Sequence, residues 1–246
     1  MSEKENFPAV SAEWAMSEFP NARNAEREML LKLASLEPGM TVLDIQAAGG
    51  YLSDGIFSYL DGEVDLICLE PCKALNSRLS SKYRLIEDPV ESWNSVPDQS
   101  VDVVMGLAGL HHSKNQLATV SEAYRVLKPG GRIVICDVID GSDIAFWLND
   151  YVDRHNPAGH KGVFLKDKAL SSLYRSTGFH VLSETKENVA WVFDNANGAG
   201  RFFKGLFGLE LSEADVLHAM KQRLSFSQSN GRSVVDWVLV YGVAEK

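Results

Sequence analysis

From Thr41 to Val138 the chain alternates two patterns: short apolar runs, and longer stretches whose apolar residues recur every three or four positions. Val42 and Leu43, inside TVLDI, read as a buried parallel strand, and Leu52, Ile56 and Tyr59 then fall on one face of a helix. Val64–Leu69 (VDLICL), Tyr83–Ile86 and Val101–Met105 (VDVVM) read as the second to fourth strands. Leu117–Leu127 is a predicted helix with its stripe at Val120, Ala123, Tyr124 and Leu127, and Arg132–Val138 is the fifth strand. Lys128-Pro129-Gly130-Gly131 between them predicts a tight turn, with proline preset for it and glycine free to take positive φ.

The flanks are less regular. Asn21 or Asn24 can cap a helix running to about Leu36, with apolar positions Ala25, Met29, Leu30, Leu33 and Ala34, and Glu37-Pro38-Gly39 breaks it. Beyond the fifth strand, Lys166–Gly178 predicts a helix ending at glycine, and Phe179–Ser183, Val189–Phe193 and Val234–Val243 predict strands. Asp236 interrupts the last apolar run, which suggests an edge position. Ser212 with Asp215 three residues on reads as a capping pair for a helix through Val216, Leu217, Met220 and Leu224. The alternation implies an α/β protein with an open, doubly wound, mostly parallel sheet covered on both faces by helices. The predicted organisation is a single domain over residues 1–246. It comprises a helical leader (1–38), a core (39–140), helical cap insertions (141–165 and 194–230) and remaining sheet elements (166–193 and 231–246).

Composition narrows the partners. At 45% hydrophobic and 23% charged, the chain has the balance of a soluble globular protein with a full core. A net charge of −9, without any Lys/Arg-rich run, argues against nucleic acid as a partner and disfavours phosphate-rich substrates. No stretch approaches a membrane span, and the N-terminal MSEKENFPAV has no apolar signal core, so the expectation is a cytoplasmic protein with no membrane partner. Cys68, Cys72 and Cys136 form no C-x-x-C pair and read as isolated packing residues.

Chemistry concentrates at the end of the first strand. Asp44-Ile45-Gln46-Ala47-Ala48-Gly49-Gly50 places an acid at the strand end, then a small-residue turn, then a helix. A dinucleotide fingerprint, G-x-G-x-x-G, is absent. The acid-first string resembles the first motif of the class I, Rossmann-like, S-adenosylmethionine-dependent methyltransferases, D/E-x-G-x-G-x-G, of the kind that act on small molecules. Gly50 keeps the last glycine, while Gln46 and Ala48 stand where two others occur in the family. If Gln46 needs positive φ, a non-glycine residue there costs on the order of 1 kcal/mol. The Leu-His-His at 110–112 and the LKPGGRIVI string at 127–135 extend the resemblance.

The resemblance implies a seven-stranded, mostly parallel sheet with a reversed last strand, S-adenosyl-L-methionine as cofactor and S-adenosyl-L-homocysteine as product. It implies cofactor contacts from Asp44, Gln46, Ala48, Gly50, Tyr51, Glu70, Pro71, Asp88, Gly106, Leu107 and His111. Glu70, ending the second strand, suits the two ribose hydroxyls. Asp88, after the third strand, matches the family's adenine-binding acid. His112 is the candidate base, since an imidazole suits proton removal near neutrality, and a structural histidine in a turn is the competing reading. His155, His160 and Trp191 are candidate substrate contacts from the cap regions. The spacing of the cap histidines with Asp153 matches no standard metal site, so no metal is expected. The leading reading is methyl transfer to a small, partly apolar molecule. The alternative is a degenerate fold that binds cofactor for a non-methylating reaction, or that acts as a non-catalytic binding subunit.

Overall fold

The computed structural model describes residues 13–246; the charged N-terminal stretch lies outside them. Two compact units emerge. One comprises Arg27–Val138, Leu165–Glu187 and Val240–Lys246; the other comprises the described part of Met1–Glu26, with Ile139–Phe164 and Asn188–Leu239.

The strands in chain order are β1 Thr41–Ile45, β2 Asp65–Leu69, β3 Arg84–Ile86, β4 Val101–Leu107, β5 Leu127–Val138, β6 His180–Asn188, β7 Trp191–Phe193, β8 Phe226–Ser229, β9 Arg232–Val235 and β10 Val238–Glu245. The first unit is built on a seven-stranded sheet ordered β3-β2-β1-β4-β5-β10-β6. β1 runs parallel to β2 and β4, β2 to β3 and β4 to β5, while β10 is the reversed strand. Val42, Leu43, Ile67, Leu69, Val103, Val104, Ile133 and Val134 are buried, as strands covered on both faces require. From β1 the chain winds outward to β3 and then crosses back to β4 on the other side of β1. The order of strands therefore reverses between β1 and β4. In open α/β sheets, ligands bind at the carboxyl ends of the strands on either side of such a reversal.

Three sequence expectations are corrected. The apolar run 234–243 is two strands. β9 belongs to a separate sheet, and β10 lies between β5 and β6 rather than at an edge. The break falls at Asp236 and Trp237, whose N–H groups leave the ladder for the Ser225 carbonyl and the Asn188 side chain. The acid thus marks a joint between sheets, and Leu239, Tyr241 and Val243 beyond it are buried as in an interior strand. Trp191–Phe193 likewise leaves the main sheet to pair antiparallel with β9. Lys128-Pro129-Gly130-Gly131 is a bulge inside β5 rather than a free turn. Leu127 faces Val101 and Arg132 faces Val103, so the segment between them is looped out, with Gly130 at φ 77°.

The second unit holds the three-stranded sheet β7-β9-β8 and its own aromatic core. Trp191 stacks on Trp237 at 3.9 Å between ring centroids, and Phe203 meets Trp147 edge-on at 5.6 Å. The buried Glu26 carboxylate accepts from the Trp191 indole N–H at 3.2 Å and is ion-paired with Arg23. The helix Glu213–Arg223 begins as the sequence indicates: Ser212 Oγ accepts from the Asp215 N–H at 3.1 Å. Ser212→Ala should therefore cost about 1 kcal/mol in urea unfolding, and Ser212→Gly only a few tenths. No loss of stability in Ser212→Ala would show that the cap hydrogen bond contributes nothing.

Candidate active site

The site grows from the end of β1. After Ile45 the chain enters a turn in which Gln46, Ala48 and Gly50 all have left-handed backbones, at φ 56°, 48° and 93°. Gly50 accepts this freely, whereas the two L-residues cost roughly 1–2 kcal/mol each. These are the two positions where glycine would stand in the resembled motif, so the family's glycines answer a geometry that this chain keeps at a cost.

The turn is fixed by β2. Glu70, fully buried at the end of that strand, accepts the Ala48 N–H on Oε2 at 2.8 Å and the Cys72 N–H on Oε1 at 2.9 Å. Its own carbonyl accepts from Asn76 Nδ2 at 3.1 Å, and its N–H donates to the Ile86 carbonyl at 2.9 Å. Burial pushes its carboxyl up, against the two N–H groups that favour the charged form. Each carboxylate oxygen has a second lone pair, so Glu70 can still accept from two hydroxyl donors, as a ribose diol requires.

Asp44, 1% exposed, accepts from Ser53 Oγ at 2.6 Å, and that hydroxyl also lies 3.1 Å from Cys68 Sγ. Burial pushes Asp44 up to about 7. The Ser53 hydrogen bond opposes the rise and the Glu70 charge adds to it. The Cys68 thiol is pushed up to about 12, chiefly by burial and then by Asp44. Tyr51, which opens the following helix, lies under the Arg27 guanidinium at 4.4 Å from ring centroid to Cζ. Pro71 is half-buried after Glu70. Asp88 is engaged by its own loop, accepting the Ser95 N–H at 2.6 Å and the Ser95 hydroxyl at 3.0 Å.

Across the switch point, β4 ends at Leu107 and is followed by Ala108, Gly109 and one short turn of helix, Leu110–His112. Gly106 has no room for a side chain, because a Cβ there would meet Ile45 Cγ1 at 2.8 Å. A Cβ on Gly109 would come within 3.0 Å of both Cβ and Oε1 of Gln46. The Gln46 side chain therefore lies against this segment, 7% exposed, and neither its Oε1 nor its Nε2 has a hydrogen-bond partner.

Sequence reasoning missed Asp137. This fully buried residue near the end of β5 accepts the His111 N–H on Oδ2 at 2.8 Å and meets His111 Nδ1 through Oδ1 at 2.6 Å. Oδ1 also accepts the Val138 N–H at 2.6 Å. The acid fixes His111 by ring and by backbone. His112 follows, half-buried, with its ring centroid 4.1 Å from that of His111. The overlooked signal was an acid at the carboxyl end of an apolar strand, where burial needs a compensating donor.

The structure thus gathers Asp44, Gln46, Ala48, Gly50, Glu70, Gly106, Leu107, His111 and His112 in one unit, at strand ends or in the segments that follow them. Tyr51, Pro71 and Asp88 belong to the same unit, and the remaining three candidates belong to the second. Trp191 is in its aromatic core, 1% exposed. His160 is also buried, with Nδ1 2.9 Å from Asn149 Oδ1 and its N–H on Asp153. His155 is half-buried beside Tyr151.

A parallel sheet reversing between β1 and β4, an acid-first left-handed turn and a buried glutamate after β2 thus meet at neighbouring strand ends. Residues 43–135 match the family model described as "Methyltransferase domain". A ubiquinone biosynthesis O-methyltransferase from Xanthomonas campestris is 27% identical over 192 residues, covering 71% of this chain and 79% of that protein. Among solved structures, an S-adenosylmethionine-dependent methyltransferase from Aquifex aeolicus superposes with a TM-score of 0.59 at 13% identity, covering 97% of this chain and 98% of the other. Geranyl diphosphate C-methyltransferase from Streptomyces coelicolor superposes at 0.61 and 10% identity, covering 94% and 82%. Over residues 43–135 the chain is thus similar to the class I S-adenosylmethionine-dependent methyltransferases, whose cofactor is S-adenosyl-L-methionine. Among the described residues no helix is long and apolar enough to cross a membrane.

The raised Asp44 carboxyl has a consequence for stability. Its value is about 7 in the native protein against 3.8 ordinarily, so between those limits the native state holds a proton that the unfolded chain has released. The stability this confers is complete below pH ~4 and is lost as pH rises through ~7. Asp44→Asn, which can still accept from Ser53, removes the dependence. In urea unfolding, the stability of Asp44→Asn minus that of wild type should grow steadily between pH 4.5 and 7.5. A flat difference would mean that Asp44 is ionised throughout.

Proposed function

We propose that the protein transfers the methyl group of S-adenosyl-L-methionine to a hydroxyl of a small, partly apolar molecule, with His112 as the base. The observation that carries the reading is the anchoring of the Leu110–His112 turn by Asp137, beside the switch point. An anchored turn presents the next residue, the half-buried His112, in a defined place with partial access.

The cofactor, when bound, supplies a methyl group on a positively charged sulfur, so the protein's work is orientation, exclusion of water and management of one proton. Glu70, bearing two backbone N–H groups, is suited to receive the ribose hydroxyls, and Asp44 favours positive charge near the β1 turn. Pro71, Tyr51, Leu107 and Asp88 complete the proposed cofactor contacts. His112 takes the acceptor's hydroxyl proton as the oxygen–carbon bond forms and the sulfur–carbon bond breaks. The imidazolium then releases that proton to solvent, so one methyl group moves and one proton is freed. The O-methyltransferase relative and the acidic character of the chain both support a small-molecule acceptor over a nucleic acid.

Calorimetry with S-adenosylmethionine and S-adenosylhomocysteine tests the cofactor assignment: wild type should bind both at sub-millimolar levels. Failure to bind either would favour the non-catalytic reading, and binding without turnover on any acceptor would favour a non-methylating reaction. For the base, His112→Ala should lower turnover at least about a hundredfold while leaving homocysteine-product affinity nearly unchanged, and should flatten the acid limb of the pH–rate profile. Unchanged turnover would remove His112 from the mechanism.

A further inference from the structure

Gln46 occupies an expensive position. Its backbone is left-handed at φ 56°, a region where Asn, Asp and His are tolerated better than glutamine. Its side chain is 7% exposed, and both ends of its carboxamide lack hydrogen-bond partners. Buried polar groups in native proteins are satisfied almost without exception, by protein, water or ligand. The carboxamide also has a place made for it. It lies over Gly109, where a Cβ would come within 3.0 Å of Gln46 Oε1, and so joins the turn after β1 to the segment after β4. Those two segments border the switch point of the sheet.

The chemistry of the surroundings identifies the missing partner. The acids nearest this turn, Asp44 and Glu70, offer acceptors that suit ribose hydroxyls or positive charge, and a ligand carboxylate against them needs a neutral donor. A carboxamide provides one through Nε2, and its Oε1 accepts in turn from an ammonium. A group carrying both an ammonium and a carboxylate on one carbon satisfies both ends together. We propose that Gln46 reads the zwitterionic amino-acid end of the cofactor, replacing with a side chain the backbone freedom that glycine gives the family's turn. The proposal rests on the methyltransferase reading above.

The test compares S-adenosylhomocysteine with 5′-methylthioadenosine, which shares the nucleoside and thioether but lacks the amino-acid end, by calorimetry on wild type, Gln46→Ala and Gln46→Gly. The alanine variant keeps a side-chain-bearing residue at the left-handed position without the carboxamide. The glycine variant relieves the backbone and secures a folded protein for comparison, with melting curves as the check on both. Both variants should bind S-adenosylhomocysteine about tenfold or more weakly than wild type, the loss expected for hydrogen bonds to a charged group, and 5′-methylthioadenosine within about twofold. Undiminished S-adenosylhomocysteine binding in Gln46→Gly would overturn the proposal, as would an equal loss for both ligands. If wild type binds neither ligand, the methyltransferase reading itself fails and the role of Gln46 fails with it.

Discussion

One carboxylate holds the site together. Glu70 sits where β2 ends, without exposure to water, and its two oxygens capture N–H groups from two different segments, the Ala48 turn and the start of its own loop at Cys72. A buried ionised acid is unfavourable unless it is paired or hydrogen-bonded, and here backbone donors do that work without a cation. The same bonds stabilise a turn that two L-residues strain by entering the left-handed region. The acid and the turn therefore depend on each other: without the turn the carboxylate loses a donor, and without the carboxylate the strained turn loses its restraint.

The pattern recurs at the other side of the switch point. Asp137 is likewise fully buried at a strand end and likewise satisfied by backbone N–H groups, from His111 and Val138, with the His111 ring as a third partner. The two acids stand at the ends of β2 and β5, which flank β1 and β4, and each fixes a segment that leaves a strand. Asp44 is the exception, receiving a hydroxyl hydrogen bond from Ser53, and burial raises it to about 7. Glu70 and Asp137 set the geometry through backbone N–H groups, whereas Asp44 is held by a side-chain hydroxyl.

Much of this was legible in the sequence because it is periodic or local. β1, β2 and β4 were visible as apolar runs, and the helix Glu213–Arg223 was visible from its capping pair. Glu70 could be found because an acid at the end of a second strand follows from topology alone. What escaped depends on distant partners. Asp137 reads like any acid at a strand end until His111, 26 residues earlier, is folded against it. Asp236 looked like an edge marker because the sequence cannot show that the apolar runs on either side of it join different sheets. The motif departures at Gln46 and Ala48 were visible, but only φ shows that the turn kept its left-handed form without the glycines.

Amide hydrogen exchange at Ala48, compared between wild type and Glu70→Ala, tests the central claim directly. If the Glu70 carboxylate restrains the turn, the Ala48 N–H is protected in wild type and exchanges at least about tenfold faster in the variant, with the amides of β4 unchanged. An Ala48 amide that exchanges equally fast in both proteins would contradict the account.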